Sequence, residues 1–141
     1  MEARANGADA VLLLANVLDA AELSALYARS REMDLDVLCE VHDESELDRA
    51  LAAGCDLIGV NSRNLRTFEI DLNTPLRLAA RMPAGVFKVA ESGIHSCADL
   101  QHLRAAGFQA FLMGEALMRA AQPGEALRQF LAAAGPAKAA T

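Results

Sequence analysis

Residues Val37–Val60 read VLCEVHDESELDRALAAGCDLIGV, and three local signals follow one another within them. Val37 to Val41 is a short, mostly apolar run, of a length that suits a strand better than a helix. Asp43-x-x-Glu46 then sets a capping oxygen three residues ahead of an acidic side chain, a helix-start signature, and Leu47, Ala50 and Leu51 recur at helical spacing behind it. Ala53-Gly54-Cys55-Asp56 closes the helix with a glycine suited to the left-handed position past the last turn. Leu57 to Val60 is a second apolar run. The unit is strand, helix, strand.

The same grammar extends in both directions. Apolar runs at Ala10 to Leu14, Val86 to Ala90 and Ala110 to Met113 add three strands. Asp19-x-x-Glu22 and Ser96-x-x-Asp99 add two helix starts, and Asn6-Gly7-Ala8-Asp9 and Ala106-Gly107-Phe108-Gln109 repeat the glycine exit. Leu23, Leu26, Tyr27 and Met33 form one helical face; Leu100 with Leu103, and Leu127 with Phe130 and Leu131, form others. Pro75, with Asn73 or Thr74 as the cap, starts a helix that runs through Leu76 and Leu78 to Met82. Near-continuous apolar strands alternating with helices predict an α/β fold, a parallel sheet with right-handed crossovers, either doubly wound or a barrel. Spacing alone does not choose between the two. In both, the chemistry belongs at the carboxyl ends of the strands.

Composition narrows the function classes. The chain has 141 residues, one domain's worth, against the roughly 200–250 that a complete β/α barrel needs. A net charge of −6, with its thirteen Lys and Arg scattered, leaves no electrostatic footprint for nucleic acid. No apolar run is long enough to span a bilayer and no secretory leader is recognisable in the first ten residues, so no membrane partner and a cytoplasmic location are expected. Cys39, Cys55 and Cys97 are too dispersed for a disulfide framework or a CxxC site and read as buried thiols. With His42, His95 and His102 isolated from one another, no metal is expected.

The strand ends carry polar residues that need a reason. In the second strand, period-two geometry puts Leu38, Glu40 and His42 on one face and Val37, Cys39 and Val41 on the other. A carboxylate inside a strand end is costly unless it is paired or functional, so Glu40 is either half of an ion pair or a candidate base. After the third strand, Gly59, Asn61 and Arg63 share a face; Arg63 brings a planar fork suited to an oxyanion, and Asn61 can both donate and accept. In the fourth strand, Lys88, Ala90 and Ser92 fall on one side and Val89 with Glu91 on the other. No G-x-S-x-G elbow surrounds Ser92, which leaves it a hydrogen-bonding role. Gly93 and Gly114, at the ends of consecutive strands, are placed for backbone N–H groups to approach an anion.

The stretches EARANGADAVLLL, DVLCEVHDESEL, LIGVNSRNLRTFEIDL, KVAESGIHS and AFLMGEALMRA together resemble the indole-3-glycerol-phosphate synthase family, in its order and spacing, over residues 2 to about 131. The resemblance implies a TIM barrel of eight β/α units, of which this chain supplies about five strands from the C-terminal part as one domain, followed by an Ala-rich tail over residues 132 to 141. It implies ring closure, decarboxylation and dehydration of 1-(2-carboxyphenylamino)-1-deoxyribulose 5-phosphate in tryptophan biosynthesis, without cofactor. By resemblance Glu40, Asn61 and Ser92 are catalytic, and Arg63 looks like the contact to the anthranilate carboxylate. Glu91 belongs to the substrate site. Gly93, Gly114 and the backbone of Glu115 look like the phosphate cradle, with the Glu115 side chain, where the family often has a smaller residue, pointing away. The family's catalytic lysines should precede Met1. Lys88 sits low on its strand and does not replace them, so the chain alone is expected to be inactive. The expected partners are a phosphorylated small molecule and, through open sheet edges, a second copy or an N-terminal barrel fragment. Two alternatives stay open: a non-catalytic phosphate-binding half of a split barrel, and another phosphate-sugar barrel such as phosphoribosylanthranilate isomerase.

Overall fold

A computed structural model describes residues 1–63, 71 and 73–135. A short helix α1 (Glu2–Ala5) leads into β1 (Ala10–Leu14), then α2 (Ala20–Glu32), β2 (Asp36–Val41), α3 (Glu44–Ala52) and β3 (Leu57–Val60). The chain continues through α4 (Asn73–Ala79), β4 (Phe87–Ala90), α5 (Cys97–Ala105), β5 (Ala110–Phe111), α6 (Glu115–Arg119) and α7 (Pro123–Ala134). The strands form a single parallel sheet in sequence order, β1-β2-β3-β4-β5, as a partial TIM barrel requires.

The local signals do what their chemistry dictates. Asp19 accepts the Ala21 and Glu22 N–H groups while Glu22 reaches back to the Asp19 N–H, and Ser96 with Asp99 closes a second reciprocal box. Gly7, Gly54 and Gly107 stand at φ of 82°, 85° and 95°, the left-handed exit that a Cβ would resist.

Four expectations need correction. First, β5 stops at Phe111 and not Met113: Leu112 donates one more N–H to the Ala90 carbonyl, then the chain turns at Gly114 into α6. Likewise β4 begins at Phe87, because the Val86 N–H is still turned back onto the Pro83 carbonyl. Second, α4 already contains Asn73 and Thr74, so neither is its cap; the Asp71 carboxylate ahead of the helix accepts the Asn73 N–H and the Thr74 hydroxyl. That helix ends at Ala79, where Arg81 and Met82 bond three residues back and the turn tightens. Third, Leu26, Leu127 and Leu131 are exposed. In α2 the buried stripe is Leu23, half-buried Tyr27 and Ser30, whose hydroxyl is satisfied by the Leu26 carbonyl at 2.8 Å. Fourth, the Asp43 box is only half made, as described below.

Register divides the sheet into two unequal faces. Leu13, Val37, Cys39, Val41, Ile58, Val60 and Ala90 point to the helical layer, and all are buried. The opposite face carries Leu12, Leu14, Leu38, Glu40, Gly59 and Val89, and there Leu12 is 52% exposed. Helices thus seal one side, and the side bearing Glu40 is the one that faces inward in a barrel. Of the three cysteines, Cys39 and Cys55 are buried beneath the helices and Cys97 is half-buried. A hydrogen bond with Cys55, together with burial, pushes the Cys39 thiol up, so it stays protonated. Among the described residues no helix is long and apolar enough to cross a membrane.

Candidate active site

The strand ends assemble their polar groups by register. Glu40 pairs with Gly59 on β3, Gly59 pairs with Val89 on β4, and Glu91, two residues beyond Val89, returns to the same face. The Glu91 carboxyl therefore lies back across β3. A Cβ built on Gly59 would overlap Glu91 Oε1 and crowd Leu38 Cδ1 at 3.2 Å, so only glycine leaves room for it. Gly59 was not singled out for this role in the sequence; a glycine inside an otherwise apolar strand was the available signal. Burial and the neighbouring Glu40 carboxylate push Glu91 up to about 8, and its Oε1 is buried without a hydrogen-bond partner.

Glu40 itself is 8% exposed and is held by Asn61, with His42 close by. The Asn61 amide Nδ2 donates to Glu40 Oε1 at 3.2 Å, and Asn61 Oδ1 accepts the Arg63 N–H at 3.1 Å, which orients the amide without ambiguity. His42 Nε2 stands 3.2 Å from the same Glu40 oxygen, and Nδ1 stands 3.1 Å from Glu46 Oε2. Glu46 Oε2 also accepts the His42 N–H at 2.7 Å, so its side chain braces the end of β2 and does not return to the Asp43 N–H as a full capping box would. His42, one residue past the end of β2, stands between two carboxylates. Among the ion pairs of the described residues, Glu40 meets His42 and no Lys or Arg.

Beside this cluster a cavity of about 220 Å³ opens at the ends of β4 and β5, lined by Arg63, Glu91, Ser92, Gly93, Gly114 and Glu115 among others. Gly93 stands at φ of 81°, turning the chain so that its backbone borders the cavity. The Ser92 carbonyl is held by the Ser62 hydroxyl at 2.7 Å, which ties the end of β3 to the end of β4. The Glu115 side chain does not point away from the cradle. Its Oε2 takes Arg63 Nη2 at 2.5 Å, because α6 begins directly opposite the end of β3 and an unpaired guanidinium there attracts the nearest carboxylate. Arg63 in turn holds the Glu115 carboxyl below the usual range. Asn64 and Leu65, which completed the Arg63 motif, lie outside the described residues. Lys88 is on the helical side, its ammonium donating to the Ala79 carbonyl at 2.9 Å, and is turned away from Glu40 and Glu91. His95 and His102 are exposed, and no group of metal-ligating side chains occurs among the described residues.

A helix-backed parallel sheet whose clustered polar groups lie at the carboxyl ends of its strands has the architecture of a β/α-barrel protein. Solved structures agree on the fold: thiamine phosphate pyrophosphorylase from Pyrococcus furiosus superposes with a TM-score of 0.72 at 18% identity, over 94% of this chain and 62% of that one. A mandelate oxidase superposes at 0.67 and 19% identity, over 95% and 54%. Sequence gives the family. Residues 1–130 match the model of the family described as Indole-3-glycerol phosphate synthase, and the chain belongs to that family. The indole-3-glycerol phosphate synthase of Koribacter versatilis is 51% identical over 131 residues, 93% of this chain and 50% of its own length. That of Verminephrobacter eiseniae is 54% identical over 132 residues, 93% of this chain and 49% of its own length. The chain spans about half the length of the curated relatives it matches.

Proposed function

We propose that this chain forms the phosphate-binding part of an indole-3-glycerol phosphate synthase barrel and brings Glu40, Asn61, Glu91 and Ser92 to its reaction centre. The observation that carries the reading is the Glu40–Glu91 carboxyl pair, with Asn61 bonded to Glu40, directly beside the Arg63 and glycine-lined cavity. The substrate has a phosphate and an anthranilate carboxylate at opposite ends of one molecule, and the cavity meets an oxyanion with a guanidinium and turn backbone. Two carboxyl groups whose environments differ can divide acid and base work, with Glu91, pushed up by burial, placed as the acid and Glu40 as the base. Loss of the hydroxyl as water needs a proton delivered to that oxygen and another removed from the ring system, which such a pair can manage. Asn61 orients Glu40, Ser92 hydrogen-bonds near the phosphate, and Arg63 meets the substrate's carboxylate.

Ring closure needs a general acid, which the family resemblance assigns to a lysine on the third barrel strand. Lys88 faces the helices, so we assign turnover to an assembly in which further residues supply that ammonium. A fluorescence assay for indole-3-glycerol phosphate formation, run with this chain alone and with a polypeptide carrying the first three strands of the family, tests the reading. Turnover is expected only with both, and Glu40→Gln should reduce it by about 10²–10⁴-fold, the usual contribution of a positioned acid or base. Robust turnover by this chain alone, or tighter binding of a phosphoribosylanthranilate than of indole-3-glycerol phosphate, would overturn it.

A further inference from the structure

The cavity at the strand ends already holds a negative charge of the protein's own. Arg63 leaves β3 and its guanidinium reaches Glu115 Oε2 at 2.5 Å, joining residues 52 apart in sequence. Glu115 Oε1 is 3.0 Å from Arg119 Nη2, one turn further along α6. Both Arg63 and Glu115 line the cavity, so the ion pair is part of the wall that an oxyanion would meet. The guanidinium is well placed for such a ligand, because the Asn61 amide fixes its backbone at 3.1 Å. The pair is also exchangeable: its side chains are 32% and 39% exposed, and water-accessible ion pairs open at little cost. When it opens, Glu115 keeps Arg119 as a partner on its outer side.

We infer that Glu115 is an internal carboxylate that occupies Arg63 at the cavity wall, and that an incoming carboxylate or phosphate must displace it, so that Glu115 sets the affinity of the site for oxyanions. The inference rests on the reading of this cavity as an oxyanion site. A bound cation is the other use of a carboxylate, and the geometry opposes it: both Glu115 oxygens are taken by guanidinium groups. Displacement has a simple cost structure. The ligand forms the charge-assisted fork with Arg63 that Glu115 gives up, and the net gain is what remains after the internal pair is broken and the ligand is brought near a carboxylate of like sign. Removing that carboxylate, without touching Arg63, should therefore raise affinity.

The test is an NMR titration of the full chain at constant ionic strength with inorganic phosphate and, separately, benzoate. The Arg63 Nε–H and the Gly93 and Gly114 amides report binding. Glu115→Gln is expected to bind each anion about two- to fivefold more tightly than the parent, the range an exposed ion pair supports. Glu115→Ser serves as a second variant should the first perturb the fold. In Arg63→Gln/Glu115→Gln the gain should vanish, since no guanidinium is left to be freed. Unchanged or weaker binding in both single variants, with the glycine amides still responding, overturns the inference and leaves the oxyanion site standing. A gain that survives removal of Arg63 also overturns it, since the effect would then be one of bulk charge. If no anion moves these signals in any variant, the site reading falls and the inference falls with it.

Discussion

Burial beside the Glu40 carboxylate holds Glu91 protonated up to about 8, against an ordinary value of 4.5, and this ties stability to pH in a definite direction. A carboxyl that is harder to ionise in the folded than in the unfolded chain contributes stability that is complete below 4.5 and is lost as pH rises through about 8. The melting temperature should therefore fall from pH 5 towards pH 8.5, and Glu91→Gln, which cannot ionise, should flatten that slope in a thermal-melt series. An unaltered slope would place the titration elsewhere. Gly59→Ala probes the same packing from below. The new methyl would overlap the Glu91 carboxyl and meet Leu38 at 3.2 Å, and overpacking of this kind costs about 1–3 kcal/mol. The displaced carboxyl should also reach water, so the variant should lose part of the pH slope as well as stability. At this scale the sequence is informative about types and poor about directions. Glu40, Asn61 and Arg63 are conspicuous as polar residues ending apolar strands. The pairing of Glu40 with Glu91 across two registers is not conspicuous, nor is Gly59 beneath it. The expectation that the Glu115 side chain turns outward rests on the smaller residue the family often has there; only the folded chain shows that it meets Arg63.

Elements are more legible, because the forces that start and stop them are local. The α2 box is complete: Asp19 Oδ1 accepts from Ala21 and Glu22 at 2.8 and 2.9 Å, and Glu22 Oε2 accepts from the Asp19 N–H at 3.1 Å. Asp19→Ala strands these donors at a helix end and should lower stability by about 0.5–2 kcal/mol, seen as a shift in urea midpoint with unchanged slope. A negligible shift would mean that water replaces the cap at no cost. The same caps and left-handed glycines mark most of the strand and helix limits in the sequence. Misjudged ends have tertiary causes. Pairing of β5 ends where the chain must turn into α6, and Asp71 captures the start of α4 from two residues upstream of Asn73. Leu26 is helical and apolar but lies off the stripe that meets β1 and β2, and periodicity of one helix cannot say which side its neighbours occupy. Strand period likewise groups Leu38, Glu40 and His42 without telling which face the helices seal; that follows only when α2, α3 and α4 are laid on the sheet.

For the molecule as a whole, the consequence lies in the face the helices leave uncovered. Leu12, Phe87 and Leu112 are 52%, 42% and 50% exposed, and register sets all three on the Glu40 side of the sheet. Among the described residues β1 and β5 each pair on one side only, so unpaired backbone groups flank this apolar surface. Parallel strands are ordinarily buried on both faces, and an open edge beside exposed leucines is a template for pairing with another chain. The net charge of −6 opposes close approach, but over a distance that ordinary salt shortens to about 8 Å, too short to keep apolar faces apart once they meet. We therefore expect the chain on its own to self-associate as concentration and salt rise, with light scattering after size exclusion reporting masses above that of one chain. Leu12→Lys, midway along the edge strand β1 and on the open face, should move the distribution towards the monomer without loss of helical signal, because that side chain has no place in the helical core. A polypeptide that supplies further parallel strands should do the same by occupying the edges. Monodisperse monomer across the whole range of concentration and salt would show that the open face is tolerated in water, and the case for a covering partner would then rest on the catalytic requirement alone.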